Sequence, residues 1–281
     1  MSSRTLNKKY RPASIALLLA IVLCAGAFAT MCVPFSAAQK SKNAKPRAKA
    51  PAVPAAPAVA PVPFKAGELL EYRVLFSKYA VNAAKVETSV VEQRDFFGHR
   101  AWHFRAIAHT MDTTRVLFAI DDQFDSYTDA ATLESRQYET YLNEMGEKQT
   151  EVFHFLPEGQ PPRAHVAGVV VTPGTRDPLG AAYALRGVDW AQTPEFRAPV
   201  YDGHDVYDMR ARLDVPAETV AVAAGNFSVA KISIRLFQHG KEVPGTSFTA
   251  WLANDAARTP VLLVAEMPLG NFRVELVSAV Q

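Results

Sequence analysis

NFSVAKISIRLF, residues 226–237, decides how this chain is read. Ser228, Ala230, Ile232, Ile234 and Leu236 hold one set of alternating places, and Lys231, Ser233 and Arg235 hold the other. A strand turns successive side chains to opposite faces, whereas a helix repeats about every 3.6 residues. An alternation this long therefore specifies a half-buried strand. With one face left polar, that strand belongs in an antiparallel sheet wetted on one side.

The same pattern extends in both directions. ELLEYRVLF (68–76) puts Leu70, Tyr72, Val74 and Phe76 on one face, with Glu71 and Arg73 opposite. RAWHFRAIAH (100–109) sets Trp102, Phe104, Ala106 and Ala108 against His103, Arg105 and His109. Further strands are expected near 80–93, 133–145, 148–155, 166–172, 205–215, 217–223, 246–252, 260–266 and 270–279. Several are too long for a small sandwich. The expected fold is mainly β, a strongly curved antiparallel sheet or half-open barrel. Gly98, Gly146 and Gly225 punctuate the runs, and Asn254-Asp255 and Leu269-Gly270-Asn271 mark reversals. Asp202-Gly203 suits a type I′ hairpin. One short helix is expected in DPLGAAYALRG (177–187): Asp177 as N-cap, Pro178 in the first turn and Gly187 at a left-handed C′ position. It would lie over one end of the sheet.

The first 63 residues are of another kind. Arg4, Lys8, Lys9 and Arg11 precede an uncharged run from Ala13 to Val33, and PFSAAQ (34–39) follows. Basic, apolar and small-residue segments in that order form an export signal, with Ser36 and Ala38 placing cleavage after Ala38. Leu23 before Cys24 and Met31 before Cys32 argue against the lipoprotein route. The run also approaches the roughly 20 residues that span a bilayer, so an uncut leader would be an N-in anchor. Either way the body is expected in the periplasm, with a membrane tether only if the leader is uncleaved. Residues 39–63 carry Pro46, Pro51, Pro54, Pro57, Pro61 and Pro63, a solvated spacer reaching roughly 75 Å at about 3.1 Å per residue. The expected division is a leader over 1–38, a disordered linker over 39–63 and a single β-rich domain over 64–281.

Charge separates the same parts. Nine of the 30 Lys and Arg residues, and none of the 28 Asp and Glu, fall in residues 1–63, so the body carries a formal charge near −7. An acidic body is unsuited to nucleic acid, which needs clustered cations to displace phosphate counterions. Both cysteines lie in the leader. The body therefore has no disulfide, Cys zinc site or thiol nucleophile.

Taken in order, PFKAGELLEYRV, IDDQFDSYTDAATLESRQYE, DPLGAAYALR, VYDGHDVYDM, AAGNF and DAARTPVLLVAEMPLGNFRVELV resemble a bacterial envelope family, domain of unknown function 3108. The resemblance runs from Phe64 to the end, with Ala83-Ala84 where a glycine is usual. It implies secretion and a β-rich fold, and it implies no reaction.

The residues themselves offer no catalytic set and no cofactor site. His99, His103 and His109 lie on one strand, where four residues span about 13 Å, too far for one zinc. A metal site is not expected. The Asp-rich stretches at 121–129 and 202–208 lack the spacing of a calcium loop and read as solvated turns. No G-x-S-x-G elbow occurs, GTRDPLG lacks the lysine of a phosphate loop, and Glu68 reads as a carboxylate meeting backbone or arginine.

Three readings follow. The first is a non-enzymatic envelope protein binding an apolar or amphipathic, lipid- or lipoprotein-like ligand, lined by Tyr72, Phe76, Trp102, Phe104, Phe248 and Val261, all of which also suit plain core. It predicts an apolar cavity of several hundred Å³. The second is an adaptor docking another envelope protein along exposed strand edges. The third, a wall or polysaccharide hydrolase, requires two carboxylates converging in an open cleft.

Overall fold

The computed structural model describes residues 62–77, 81–96, 98–157, 168–268 and 270–280. The leader and nearly all of the spacer lie outside these residues. The described residues of the body form one sheet of thirteen strands, open rather than closed into a barrel. Its centre pairs the first strand with the last, β1 (Leu69–Phe76) with β13 (Gly270–Val280). Outward from β1 follow β2 (Val81–Phe96), β3 (His99–Thr110), β4 (Asp121–Asp129), β5 (Ser135–Glu144), β6 (Glu147–Pro157) and β7 (Val169–Val171). Outward from β13 follow β12 (Pro260–Met267), β11 (Lys241–Ala253), β10 (Gly225–Gln238), β9 (Val206–Val222) and β8 (Glu195–Tyr201). All neighbours are antiparallel except β6 and β7. Consecutive hairpins explain the order of β1 to β6 and of β8 to β13, since each of those strands returns beside its predecessor.

Register shifts at Glu71/Tyr72, Val74/Leu75 and Val90/Glu92 bend the middle of the sheet. The two expected runs at 205–215 and 217–223 are one strand, β9. Pro216 sits where the register with β10 shifts, beyond the stretch paired to β8, which is where a proline costs a sheet no hydrogen bond. Beyond β7, Arg176 bonds to the edge of β8, donating its N–H to Pro199 O at 2.9 Å and accepting from Tyr201 N–H at 2.9 Å, while Phe153 and Phe155 of β6 pack edge-on against Tyr201. The guanidinium of Arg176 is buried, donating to Gly174 O and Thr132 O and lying over the Phe196 ring. β7 pairs only with Phe155–Pro157 of β6, and Arg176 meets β8 only around Val200, so among the described residues both edge regions are covered in part.

The helix α1 (Pro178–Gly187) plugs the concave face, and Ala182 is its one incompletely buried residue. Phe64 is the hub of its docking, meeting Trp102, Phe104 and Tyr183 edge-on at 5.4, 5.3 and 5.1 Å. Asp177 caps the helix as expected, accepting from Gly180 N–H at 2.8 Å. The C-terminus departs from expectation. Gly187 is the last helical residue, is not left-handed, and Val188 leaves in extended conformation. Side chains satisfy the end instead: Trp190 Nε1 donates to Leu185 O, and Arg258 Nη1 to Val188 O at 2.9 Å and Arg186 O at 3.3 Å.

Two turns also differ from expectation. At Asp202-Gly203 only Gly203 has positive φ, 104°, so the reversal is not type I′. It is a four-residue connection in which the Asp202 carboxylate accepts from His204 and Asp205 N–H, both at 2.7 Å. The acidic stretch 121–129 is not a solvated turn but strand β4, with Asp122 and Asp125 buried. Alternation hid it because both its faces are largely buried, and each carries a carboxylate with partners. Asp122 Oδ1 accepts from Asn143 N–H at 2.7 Å, while Oδ2 has no partner among the described residues.

Burial pushes Asp122 up to about 7, against the Asn143 hydrogen bond and with added repulsion from Glu144. Since this folded value exceeds the unfolded one, the contribution of Asp122 to stability is complete below about pH 4 and lost as pH rises through about 7. Asp122→Asn is therefore expected to stabilise the fold by about 1–2 kcal/mol near pH 8 and by close to nothing near pH 4. Urea midpoints at the two pH values measure this, and an equal effect at both would refute the assignment.

Candidate functional site

Between α1 and the sheet lies an apolar cavity of about 80 Å³. Tyr183, Ala182 and Arg186 form its helical wall, and Leu70, Tyr72, Leu262, Ile232 and Val274 belong to its sheet wall. The small side chains Ala182 and Ala250 leave the space that larger residues would fill. The volume is smaller than the several hundred Å³ expected of a carrier, enough for a short alkyl group but not for a whole acyl chain.

Polar groups line one side of this cavity. Arg186 meets Glu68 through two hydrogen bonds, 2.6 Å from Nη1 and 2.9 Å from Nη2, with both side chains about 2 % exposed. Its Nη2 also donates to Ala257 O at 3.0 Å, and its guanidinium lies over the rings of Phe64 and Tyr183. Burial disfavours the cation, but Glu68 outweighs it and raises the Arg186 pKa. Glu68 is thus the arginine-paired carboxylate expected from its sequence. Tyr72 donates to Pro260 O at 3.0 Å, and burial holds its pKa far above the usual tyrosine value. Burial raises the pKa of Tyr183, and the Thr88 hydroxyl standing by that of Tyr183 works against it. Arg186 Nε has no hydrogen-bond partner among the described residues. A donor without a partner beside an apolar cavity can receive a ligand oxygen.

A second, polar hollow of about 240 Å³ is lined by Asp189, Trp190, Asn254, Asp255 and Arg258, and it shares Leu252 with the first. Arg258, held at φ 45° by its N–H bond to Asp255 Oδ1, stands at its floor on the α1 carbonyls.

Of the six aromatic and aliphatic side chains singled out in the sequence, Tyr72 alone lines the cavity. Trp102 and Phe104 pack under Phe64 and α1, Phe248 is fully buried core, and Phe76 stacks on Phe272 at 4.7 Å. Val261 lies apart in a small cluster with Val229 and Ala253, against Phe227 of the β9–β10 hairpin. Alternation could not separate these places, because every inward side chain of a bent sheet looks alike in sequence. The cavity is marked instead by Arg186 and Ala182 on the helix.

His103 and His109 join separate carboxylates. His103 Nε2 lies 2.5 Å from Asp125 Oδ1, and His109 Nδ1 lies 3.0 Å from Asp121 Oδ1. Burial would raise Asp125, but hydrogen bonds from His103, Gln123 and Arg105 overcome it and hold the carboxyl below its usual range. Asp125 faces Glu139 across β4–β5, yet it is buried beneath its donors and not open to a substrate. Among the described residues no group of three or more His, Cys, Asp or Glu is placed to hold a metal ion. Ser228 and Lys231 have the S-x-x-K spacing of some serine nucleophiles, but on strand β10 three places put them on opposite faces. Lys231 lies over the Trp251 ring, and Ser228 accepts from Asn254.

The sequence profile of the family "Protein of unknown function (DUF3108)" matches residues 71–277. The chain belongs to this family. The DUF3108 description names no activity, and no curated protein matches the chain. Among solved structures, a beta-barrel-like protein of domain of unknown function DUF1849 from Brucella abortus is 12% identical, with a TM-score of 0.47 over 75% of this chain and 96% of that one. A candidate lipoprotein from Parabacteroides distasonis is 11% identical, with a TM-score of 0.37 over 79% and 99%. A candidate exported protein with YmcC-like fold from Bacteroides fragilis is 11% identical, with a TM-score of 0.33 over 77% and 97%. Among the described residues of this DUF3108 chain, no helix is long and apolar enough to cross a membrane.

Proposed function

We propose that this is an exported cell-envelope protein that binds without catalysing, taking a short apolar end of an amphipathic, lipid-like ligand into the cavity beneath α1. The observation that carries this reading is the pairing of an apolar space with the unpartnered Arg186 Nε. A buried donor left without an acceptor costs about 1–3 kcal/mol, which a ligand oxygen would return. Arg186 is already neutralised by Glu68, so the fitting head is an uncharged acceptor such as an ester or amide carbonyl. The basic and apolar leader supports export.

The test is native mass spectrometry of the exported protein, with solvent extraction of whatever it carries. An acyl ester or acyl amide is expected with the wild type. Ala182→Phe fills the space from an incompletely buried helix position, and is expected to lower occupancy at least tenfold while the protein stays folded. A wild type that carries nothing, and that has no affinity for fatty acids or lipopeptides, would end the binding reading.

A further inference from the structure

The sheet has two dissimilar ends. Strands β1, β3 and β5 run the same way, so the anchors of α1, Glu68 and Ser135, mark one end, while the exits of β3 and β5 mark the other. At that far end three consecutive apolar side chains stand in solvent: Val116 is 84 %, Leu117 68 % and Phe118 47 % exposed. Met145, at the turn between β5 and β6, is 61 % exposed, and Met111 is 40 % exposed. Backbone bonds hold these pieces together. Met145 N–H donates to Ala119 O at 2.7 Å, Ala119 N–H to Met145 Sδ at 3.2 Å, and Met111 N–H to Ala83 O at 3.0 Å. One helical turn over Asp112–Arg115, with Leu117 and Phe118 N–H both bonded to Thr114 O, sets the direction of the tip.

We infer that this tip docks the domain on a lipid bilayer. A run of exposed apolar residues marks an interaction surface, because isolated side chains are tolerated but contiguous ones disfavour a free surface. A bilayer receives such a run of exposed apolar side chains without needing a matching shape. Val116–Phe118 carry no charge, Arg115 beside them is paired to Asp121 at 2.5 Å, and the charged residues Glu144, Glu147 and Lys148 flank Met145 instead. The uncharged run Ala13–Val33 and the spacer that follows put a membrane within about 75 Å of the domain if the leader is kept. The tip then lays the domain down on that surface and leaves the α1 end facing away.

Quenching by brominated acyl chains tests this in the full chain reconstituted into phosphatidylethanolamine–phosphatidylglycerol vesicles. Leu117→Trp reports the tip, and Val280→Trp, at a 59 % exposed site on the opposite end, is the reference. The residue-117 tryptophan is expected to be quenched at least threefold more strongly than the residue-280 one. Adding Phe118→Asp to Leu117→Trp is expected to remove the difference, and the 68 % and 47 % exposure of these sites keeps either change from unfolding the core. Equal quenching at the two ends would overturn the inference. So would a lipid-free dimer in sedimentation that Phe118→Asp dissolves, because a second copy would then be the occupant. Neither outcome bears on the cavity beneath α1.

Discussion

Arg186→Met is expected to cost the fold about 3–5 kcal/mol, because it breaks a buried ion pair from one side. The penalty lies in what is left behind. Glu68 and Arg186 are each about 2 % exposed, and removing the cation strands a carboxylate in the interior with no route to water. The hydrogen bond to Ala257 and the contacts over Phe64 and Tyr183 go with it, so the α1 end of the molecule loosens as a unit. For a domain of this size the loss corresponds to a melting temperature lower by roughly 10 °C. Arg186→Lys is expected to recover only part, since a point charge cannot reproduce the two-pronged contact. The decisive comparison is Glu68→Leu with Arg186→Met: removing both charges is expected to restore most of the stability, because the pair contributes little net energy beyond cancelling its own desolvation. Urea unfolding of the three variants measures this. A single variant within about 1 kcal/mol of wild type would mean that the pair is not buried as described.

How much of this was legible beforehand follows from what each residue answers to. Alternation depends only on which side of a pleat faces water, so Ile232, Ile234, Leu236 and the β1 set were readable directly, and with them the bent sheet. Asp177 was readable as a cap because its partner, Gly180, is three residues away. Asp122 and Asp125 were not, because their burial depends on Asn143, His103 and Arg105, which reach them only through the sheet. Gly187 misled for a similar reason: Arg258, more than seventy residues on, takes over the helix end. The candidate site was least legible of all. Its cavity exists because small side chains on α1 and β11 face each other, and nothing local announces that. The pairing of β1 with β13 that brings Glu68 toward the α1 end is likewise a property of the whole topology.

Asp177→Ala is the second large effect, about 3 kcal/mol, and it tests the other end of the helix. The Asp177 carboxylate is fully buried and accepts from Ser126 Oγ and Ser135 Oγ at 2.5 Å each, as well as from Gly180 N–H. One side chain thereby fastens α1 to both β4 and β5. Losing an N-cap costs about 1 kcal/mol, and leaving buried hydroxyls without acceptors adds a further 1–3 kcal/mol. Asp177→Asn keeps an acceptor for Gly180 and is expected to fall between the two. The pH dependence separates them further. Burial raises Asp177 above the ordinary carboxyl range although the Ser126 and Ser135 hydroxyls pull it down. The advantage of aspartate is therefore complete below about pH 4 and diminishes as pH rises through the raised folded value, so wild type and Asp177→Asn converge toward alkaline pH. Amide hydrogen exchange locates the damage, with faster exchange expected first at Gly180 and Ala181 in Asp177→Ala and slow exchange retained in β1 and β13. Uniform loss of protection across the sheet would show that Asp177 supports the whole fold and not the seating of the plug.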